Sequence, residues 1–358
     1  MHFKNDSGNT TKEDALNAPV APASEALTKN EGDTVQCLAC AHQCHIKESH
    51  TGKCRIRFNR NGILYAPDGY VAGLQIDPIE KKPFYHVLPG SNALSFGMLG
   101  CNYHCSFCQN WMSSQQPHRQ EKPLNIQSCS PSEIVDTAIA QNVPAIVSTY
   151  NEPLITADWA VRIFEKAKEK GLLCGFVSNG FASPTVLKFM RPVTDLYKVD
   201  LKCFTDRGYQ MLGGRLHPVL NTIEMLAELG FWVEVVTLVV PGFNDSPKEL
   251  ADTAIFIAGI SPKIPWHVTA FHPTYKMANK TPTSQRQLEH AYDAGKDAGL
   301  HYVYAGNMAG RVANREHTYC PHCASLLIER RGFHVLQNRL VANSCPDCNT
   351  KIPGRWQS

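Results

Sequence analysis

From about residue 94 the chain alternates short apolar segments with amphipathic ones, and this alternation does most to limit its fold. Strand-like segments fall at 94–98, 145–149, 173–177, 196–201, 232–240, 266–271 and 301–305. They are rich in Val, Ile, Leu and aromatics, with Gly, Pro or Asn at their borders. Helix-like stretches at 131–142, 157–170, 217–229, 248–259 and 284–298 lie between most of them. Pro131, Pro184 and Pro247 stand where first-turn prolines belong. Repeating βα units with buried strands imply a parallel sheet with right-handed crossovers. Almost every strand runs into a polar motif: Thr149-Tyr150-Asn151-Glu152-Pro153, Ser178-Asn179-Gly180, Asp200-Leu201-Lys202, Asn244-Asp245, His272-Pro273 or Gly306-Asn307. Chemistry at every C-terminal strand end is the layout of a TIM-like barrel, full or partial. An open doubly wound sheet would gather it at one switch point.

The first strand leads into Cys101-Asn102-Tyr103-His104-Cys105-Ser106-Phe107-Cys108, a C-x3-C-x2-C run. An ordinary [4Fe–4S] cluster takes four thiolates. Here three are local, and Cys129 follows only 21 residues on. Three ligands leave the fourth iron open to a non-protein group. A zinc site would need a fourth ligand, which His104 could supply only awkwardly from inside the loop.

Eleven of the 14 cysteines fall in three groups. Short spacings of this kind in a cytosolic chain point to metal rather than to disulfides. Cys320-Pro321-His322-Cys323 and Cys345-Pro346-Asp347-Cys348 form two knuckles 21 residues apart, close to zinc-ribbon spacing. Rubredoxin-like iron uses the same ligands. Cys37, Cys40, Cys44 and Cys54 also make four, outside the bacterial ferredoxin spacing. Structural zinc is the expectation there, with an auxiliary iron–sulfur cluster as the alternative. Cys129, Cys174 and Cys203 are scattered, and Cys174 reads as a small buried hydrophobe.

The 358 residues suffice for one large domain with small modules. Hydrophobic residues make up 43% and charged residues 19%, as in a soluble globular protein. A net charge of +3, with no long basic run or aromatic-basic stripe, does not point to nucleic acid. No apolar stretch reaches membrane-spanning length and the N-terminus lacks a signal pattern, so a cytoplasmic protein is expected. The expected organisation is a disordered polar leader (1–34), a four-cysteine module (35–60), an irregular lead-in (61–93), the barrel (94–310) and a ribbon-like module (311–358).

With these motifs in place, the chain resembles radical SAM enzymes of the pyruvate formate-lyase-activating type. More narrowly, it resembles the radical SAM enzyme of the AmmeMemoRadiSam system. The narrower likeness rests on Asp77-Pro78-Ile79-Glu80-Lys81-Lys82-Pro83 with Tyr85-His86, on Gly100 to Trp111, on Thr149 to Pro153, and on the ribbon after Tyr319. The resemblance spans residue 35 to the end. It implies a partial (β/α)6 barrel, a [4Fe–4S] cluster on Cys101, Cys105 and Cys108, and S-adenosylmethionine (SAM) on the open iron. It implies Phe107 near the adenine, Asn151 and Glu152 at the SAM amino group, and Ser178 and Asn179 near its carboxylate and ribose. Asp200 and Lys202 match the Asp-Leu-Lys of the activating branch. Tyr150-Asn151-Glu152 stands where the family more often has Gly-Gly-Glu.

The implied activity is reductive cleavage of SAM to a 5′-deoxyadenosyl radical, which takes hydrogen from a protein or small-molecule substrate. Flavodoxin or ferredoxin would supply the electron, and Memo-like and AMMECR-like proteins are implied partners. A glycyl-radical activase is a narrower rival, and a metal-binding scaffold or electron carrier without catalysis is the reading from another class. Each motif also has a plain structural reading. Asn-Gly is a turn signal, Asp200 and Lys202 could be an ion pair, and Glu152 could cap the next helix. His267, His272 and Tyr275 are weaker candidates for substrate contacts.

Overall fold

The computed structural model describes residues 18–119 and 126–357. At its centre is an eight-stranded sheet. Its strands are β1 (Gly73–Pro78), β2 (Asn92–Gly97), β3 (Ala145–Ser148), β4 (Leu173–Ser178), β5 (Leu196–Asp200), β6 (Trp232–Val239), β7 (Trp266–Ala270) and β8 (Val303–Gly306). Strands β2 to β8 are parallel and lie in strict chain order, while β1 runs antiparallel to β2. Chain order without reversal leaves no switch point, which is the barrel arrangement. Among the described residues no hydrogen-bonded pairing joins β8 to β1, so the barrel is partial.

The helices between the strands are α1 (Pro131–Ala140), α2 (Ala157–Glu169), α3 (Pro184–Met190), α4 (Asp206–Leu212), α5 (Leu216–Glu228), α6 (Pro247–Ile260) and α7 (Gln285–Asp297). The expected prolines open α1, α3 and α6, where a missing N–H costs nothing. Ser130, Ser183 and Ser246 precede them and accept from the amides of Glu133, Val186 and Glu249. Such caps contribute about 1 kcal/mol each. On α2, Trp159, Ile163 and Phe164 face inward, and Trp159 meets Phe96 of β2 edge-on at 5.6 Å.

Two expectations about the N-terminal third are corrected. The part of the 1–34 leader that is described, residues 18–34, is structured: Val20–Pro22 pairs with Ile63–Pro67 and Thr28–Glu31 with Thr34–Cys37. The remainder, residues 1–17, lies outside the described residues. The lead-in is not irregular either, because Gly73–Pro78 is the antiparallel edge of the main sheet.

The C-terminal module is a three-stranded sheet of Thr318–Tyr319, Leu326–Arg331 and His334–Asn338. It packs against the β8 edge of the barrel and against the segment that joins β1 to β2. Buried Arg330 donates to the Tyr85 carbonyl and to Thr318 Oγ1, each at 2.7 Å, and lies 3.7 Å from Glu80. Tyr302 and Tyr304 of the β8 edge share an apolar cluster with Leu327, Ile328 and Ile352. Among the described residues no helix is long and apolar enough to cross a membrane.

Candidate active site

A cavity of about 380 Å³ opens at the C-terminal ends of β2 to β8. The ten residues expected to hold the cluster and SAM all line it: Cys101, Cys105, Cys108, Phe107, Asn151, Glu152, Ser178, Asn179, Asp200 and Lys202.

The cysteine loop is seated on the end of α4. Gly213, at φ +87°, and Gly214 leave room there for the rings of His104 and Tyr103. A Cβ would lie 2.4 Å from His104 Cε1 at the first glycine and 2.4 Å from Tyr103 Cε1 at the second. His104 is spent on this seat and its amide donates to the Leu212 carbonyl at 3.0 Å. The Tyr103 amide donates to Cys101 Sγ at 3.3 Å, and Cys108 Sγ lies 3.2 Å from Ser114 Oγ. Burial pushes the Cys105 thiol up to about 12, against the opposing pull of Lys202. Burial, and after it the Glu152 charge, also raises Cys101. Protons held this firmly leave when a metal takes their place. Among the described residues these three sulfurs do not converge as ligands of one ion would. That spread suits a cluster whose thiolates sit on different irons.

After β3, Tyr150 takes φ +71°, a left-handed conformation that favours glycine. The resemblance expects glycine here. The tyrosine closes over Gly97, where a Cβ would lie 2.4 Å from the Thr149 carbonyl. Its hydroxyl donates to Asp77 at 3.3 Å and accepts from Lys82 Nζ at 3.2 Å. Asp77 also pairs with Lys81 at 2.7 Å and Lys82 at 2.9 Å, so the Asp77–Pro83 motif forms one rim of the cavity. Asn151 Oδ1 accepts from the Met98 amide at 3.1 Å, tying the β3 motif to the end of β2.

Glu152 is buried and accepts three hydrogen bonds. Ser178 Oγ donates at 2.7 Å, the Asn179 amide at 2.8 Å and the Leu154 amide at 3.1 Å. The last makes it the cap of the short helix Pro153–Thr156, so the structural reading holds beside the functional one. Burial raises its carboxyl to about 7 despite these donors. Asn179 Nδ2 donates to Asn102 Oδ1 at 2.7 Å, which links β4 to the cysteine loop.

Asp200 sits between two lysines, accepting from Lys202 Nζ at 2.6 Å and from Lys198 Nζ. Burial would raise its carboxyl, but the two ammonium groups together hold it well below the carboxylate range. Lys198 was not among the candidates, although it lines the cavity. Period two places 198, 200 and 202 on one side of β5 and its extension. The apolar neighbours of Lys198 hid that signal.

Three weaker candidates fall outside. His267 is buried beneath the cavity and bonds Glu234 at 2.6 Å. His272 holds the Asn307 carbonyl at 3.0 Å, and Tyr275 stacks on Trp111 at 5.2 Å. None of the three lines the cavity.

In the ribbon, Cys320, Cys323, Cys345 and Cys348 have all four sulfurs within 4.8 Å of one another. Sulfurs around one tetrahedral ion bonded at 2.3 Å lie about 3.8 Å apart. Here Cys320–Cys348 measures 3.5 Å and Cys323–Cys345 3.6 Å.

Residues 97–254 match the family model for the radical SAM superfamily. The chain thus carries a radical SAM superfamily domain, and members of that superfamily use a [4Fe–4S] cluster, SAM and a one-electron donor. The chain belongs to one family with an uncharacterized protein of Methanocaldococcus jannaschii, to which it is 37% identical over 328 residues, 90% of this chain and 96% of the relative. Similar solved structures include Streptococcus suis SuiB bound to precursor peptide SuiA, with 13% identity and a TM-score of 0.49 over 65% of this chain and 52% of SuiB. Another is a domain of pyruvate-formate lyase-activating enzyme from Bacteroides vulgatus, with 18% identity and a TM-score of 0.40 over 45% of this chain and 98% of that one.

Proposed function

We propose that this chain is the radical SAM enzyme of an AmmeMemoRadiSam-type system. In this reading it generates a 5′-deoxyadenosyl radical in the cytoplasm to take hydrogen from a protein or small-molecule substrate. The carrying observation is the single cavity that collects three spread thiols, a buried carboxylate and the strand-end motifs. Cys101, Cys105 and Cys108 would hold the cluster, and the donor set fits it. When bound, the cluster and SAM supply a one-electron reductive cleavage of the C5′–S bond.

The other residues orient and enclose. Glu152 offers the remaining lone pairs of its carboxylate to a ligand ammonium, while Ser178 and Asn179 hold it in place. Phe107, tilted against Phe243 at 5.4 Å, gives an apolar surface for an adenine ring. Val177, Val236 and Leu238 line the inner wall and exclude water from a reactive intermediate. Lys198, Asp200 and Lys202 form a paired polar floor.

Flavodoxin or ferredoxin would deliver the electron, and Memo-like and AMMECR-like proteins would work with the enzyme. The ribbon cysteines would hold one structural zinc. The test is anaerobic reconstitution with iron and sulfide, then dithionite and SAM, with chromatography for 5′-deoxyadenosine. Production by the parent and none by Cys101→Ala, Cys105→Ala or Cys108→Ala supports the reading. A loaded parent protein that leaves SAM intact argues for the scaffold instead.

A further inference from the structure

The four N-terminal cysteines differ from the ribbon cysteines in a way the sequence does not show. Cys37 ends the strand Thr34–Cys37, Cys40 and Cys44 flank a tight turn in which Gln43 takes φ +44°, and Cys54 returns from the next loop. All four line one small cavity of about 10 Å³ together with Ile46, Arg57 and Ile155. Yet among the described residues no three of their sulfurs lie within 4.8 Å of one another, whereas all four in the ribbon do.

This contrast bears on what each set can bind. Four thiolates on one tetrahedral ion at about 2.3 Å bring their sulfurs to about 3.8 Å of one another. Sulfurs spread more widely suit a polynuclear centre, whose thiolates bind separate irons bridged by sulfide. The cavity cysteines Cys101, Cys105 and Cys108 show the same spread.

The surroundings agree. Arg57 is fully buried, and its Nη1 donates to Cys37 Sγ at 3.5 Å while Nε donates to the Ile155 carbonyl at 3.0 Å. The Lys53 amide donates to Cys44 Sγ at 3.4 Å. Such donors favour a thiolate set that carries net negative charge. The module is also bonded to the active-site loop. His42 Nε2 bonds the Asn102 carbonyl at 3.1 Å, and the Ala41 amide donates to Phe181 O at 2.9 Å, just beyond the β4 motif. Ile56 packs on Gly100, the residue before Cys101, where a Cβ would approach to 3.0 Å.

We infer that Cys37, Cys40, Cys44 and Cys54 hold a second, polynuclear iron–sulfur cluster, in place of the structural zinc expected from their number. The inference needs only these four residues and stands whether or not the Cys101 loop binds a cluster.

The test uses the full chain with Cys101→Ala, Cys105→Ala and Cys108→Ala combined, which keeps all four N-terminal cysteines. After anaerobic reconstitution, acid-labile sulfide, iron and zinc are counted per chain and Mössbauer spectra recorded. The expected result is bound sulfide and the spectrum of a polynuclear centre. A further Cys40→Ser should remove at least half of that sulfide. A triple variant without sulfide, whether the module then carries one ion or none, overturns the inference. Equal sulfide in parent and triple variant would instead overturn the cluster at the Cys101 loop while supporting this one.

Discussion

At the residue scale, Glu152 carries the clearest electrostatic signature. Its carboxyl is raised from the ordinary 4.5 to about 7 because burial outweighs three donors. The folded chain thus holds this proton more tightly than the unfolded one. The contribution to stability is full below about 4.5 and is lost as pH rises through about 7, on the order of 3 kcal/mol across that window. Protein free of iron and SAM should melt lower at pH 8 than at pH 5.5, and Glu152→Gln should flatten that slope. Identical slopes in parent and variant would show that another group sets it. Asp200 makes the opposite case, since two ammonium groups stabilise its charge. Asp200→Asn leaves Lys198 and Lys202 facing each other without a counter-charge, at a cost of about 3 kcal/mol. Urea denaturation should show the loss, and adding Lys198→Met should restore part of it. The candidate site was legible where spacing alone carries meaning, as in the cysteine run. Lys198 and the two seat glycines were not, because only three-dimensional neighbours reveal why they are there.

At the scale of elements, the seven parallel strands and the main helices could be read in advance. Most strands are largely apolar because both faces are covered, and each proline-led helix carries its own start signal. The strands of residues 18–67 span only three to five residues, and none buries more than a few apolar side chains, such as Val35, Ile46, Phe58 and Leu64. Too few apolar positions repeat there for a period to appear, and pairing partners far along the chain supply the order. The seat of the cysteine loop is equally non-local, since α4 lies a hundred residues after the loop it supports. Gly213→Ala would place a side chain at φ +87° and drive its Cβ into His104. The backbone term alone costs about 1–2 kcal/mol. The loop should shift and iron uptake at Cys101, Cys105 and Cys108 should fall well below the parent level. Full iron loading of the variant would mean that the loop keeps its shape without this seat.

At the scale of the whole molecule, the ribbon does for the barrel what a last pair of strands would do. Among the described residues the sheet ends at β1 and β8 without bonding them, and the ribbon packs on β8 and on the segment that joins β1 to β2. His86 is the pin at one end of this contact. The Pro353 carbonyl can only accept, so His86 Nδ1 carries the hydrogen of their 2.7 Å bond. Nε2 then accepts from Tyr304 of β8 at 2.7 Å, Tyr304 from Thr318 at 2.9 Å, and Thr318 from Arg330 at 2.7 Å. The chain of donors runs one way and requires a neutral ring. Burial accordingly depresses His86 from 6.5 to about 4. Here the stabilising contribution is full above about 6.5 and is lost as pH falls toward 4, on the order of 3 kcal/mol. Acid should therefore loosen the seam before the barrel core. Hydrogen exchange at pH 4.5 should quicken in residues 352–356, in the segment joining β1 to β2 and along β8, while β3 to β6 stay protected. His86→Gln keeps a donor but cannot charge, so its seam should exchange at rates that no longer depend on this protonation. If this seam, β8 and the central strands open together in the parent at every pH, the ribbon is an integral part of the barrel's cooperative core and His86 is not its release point.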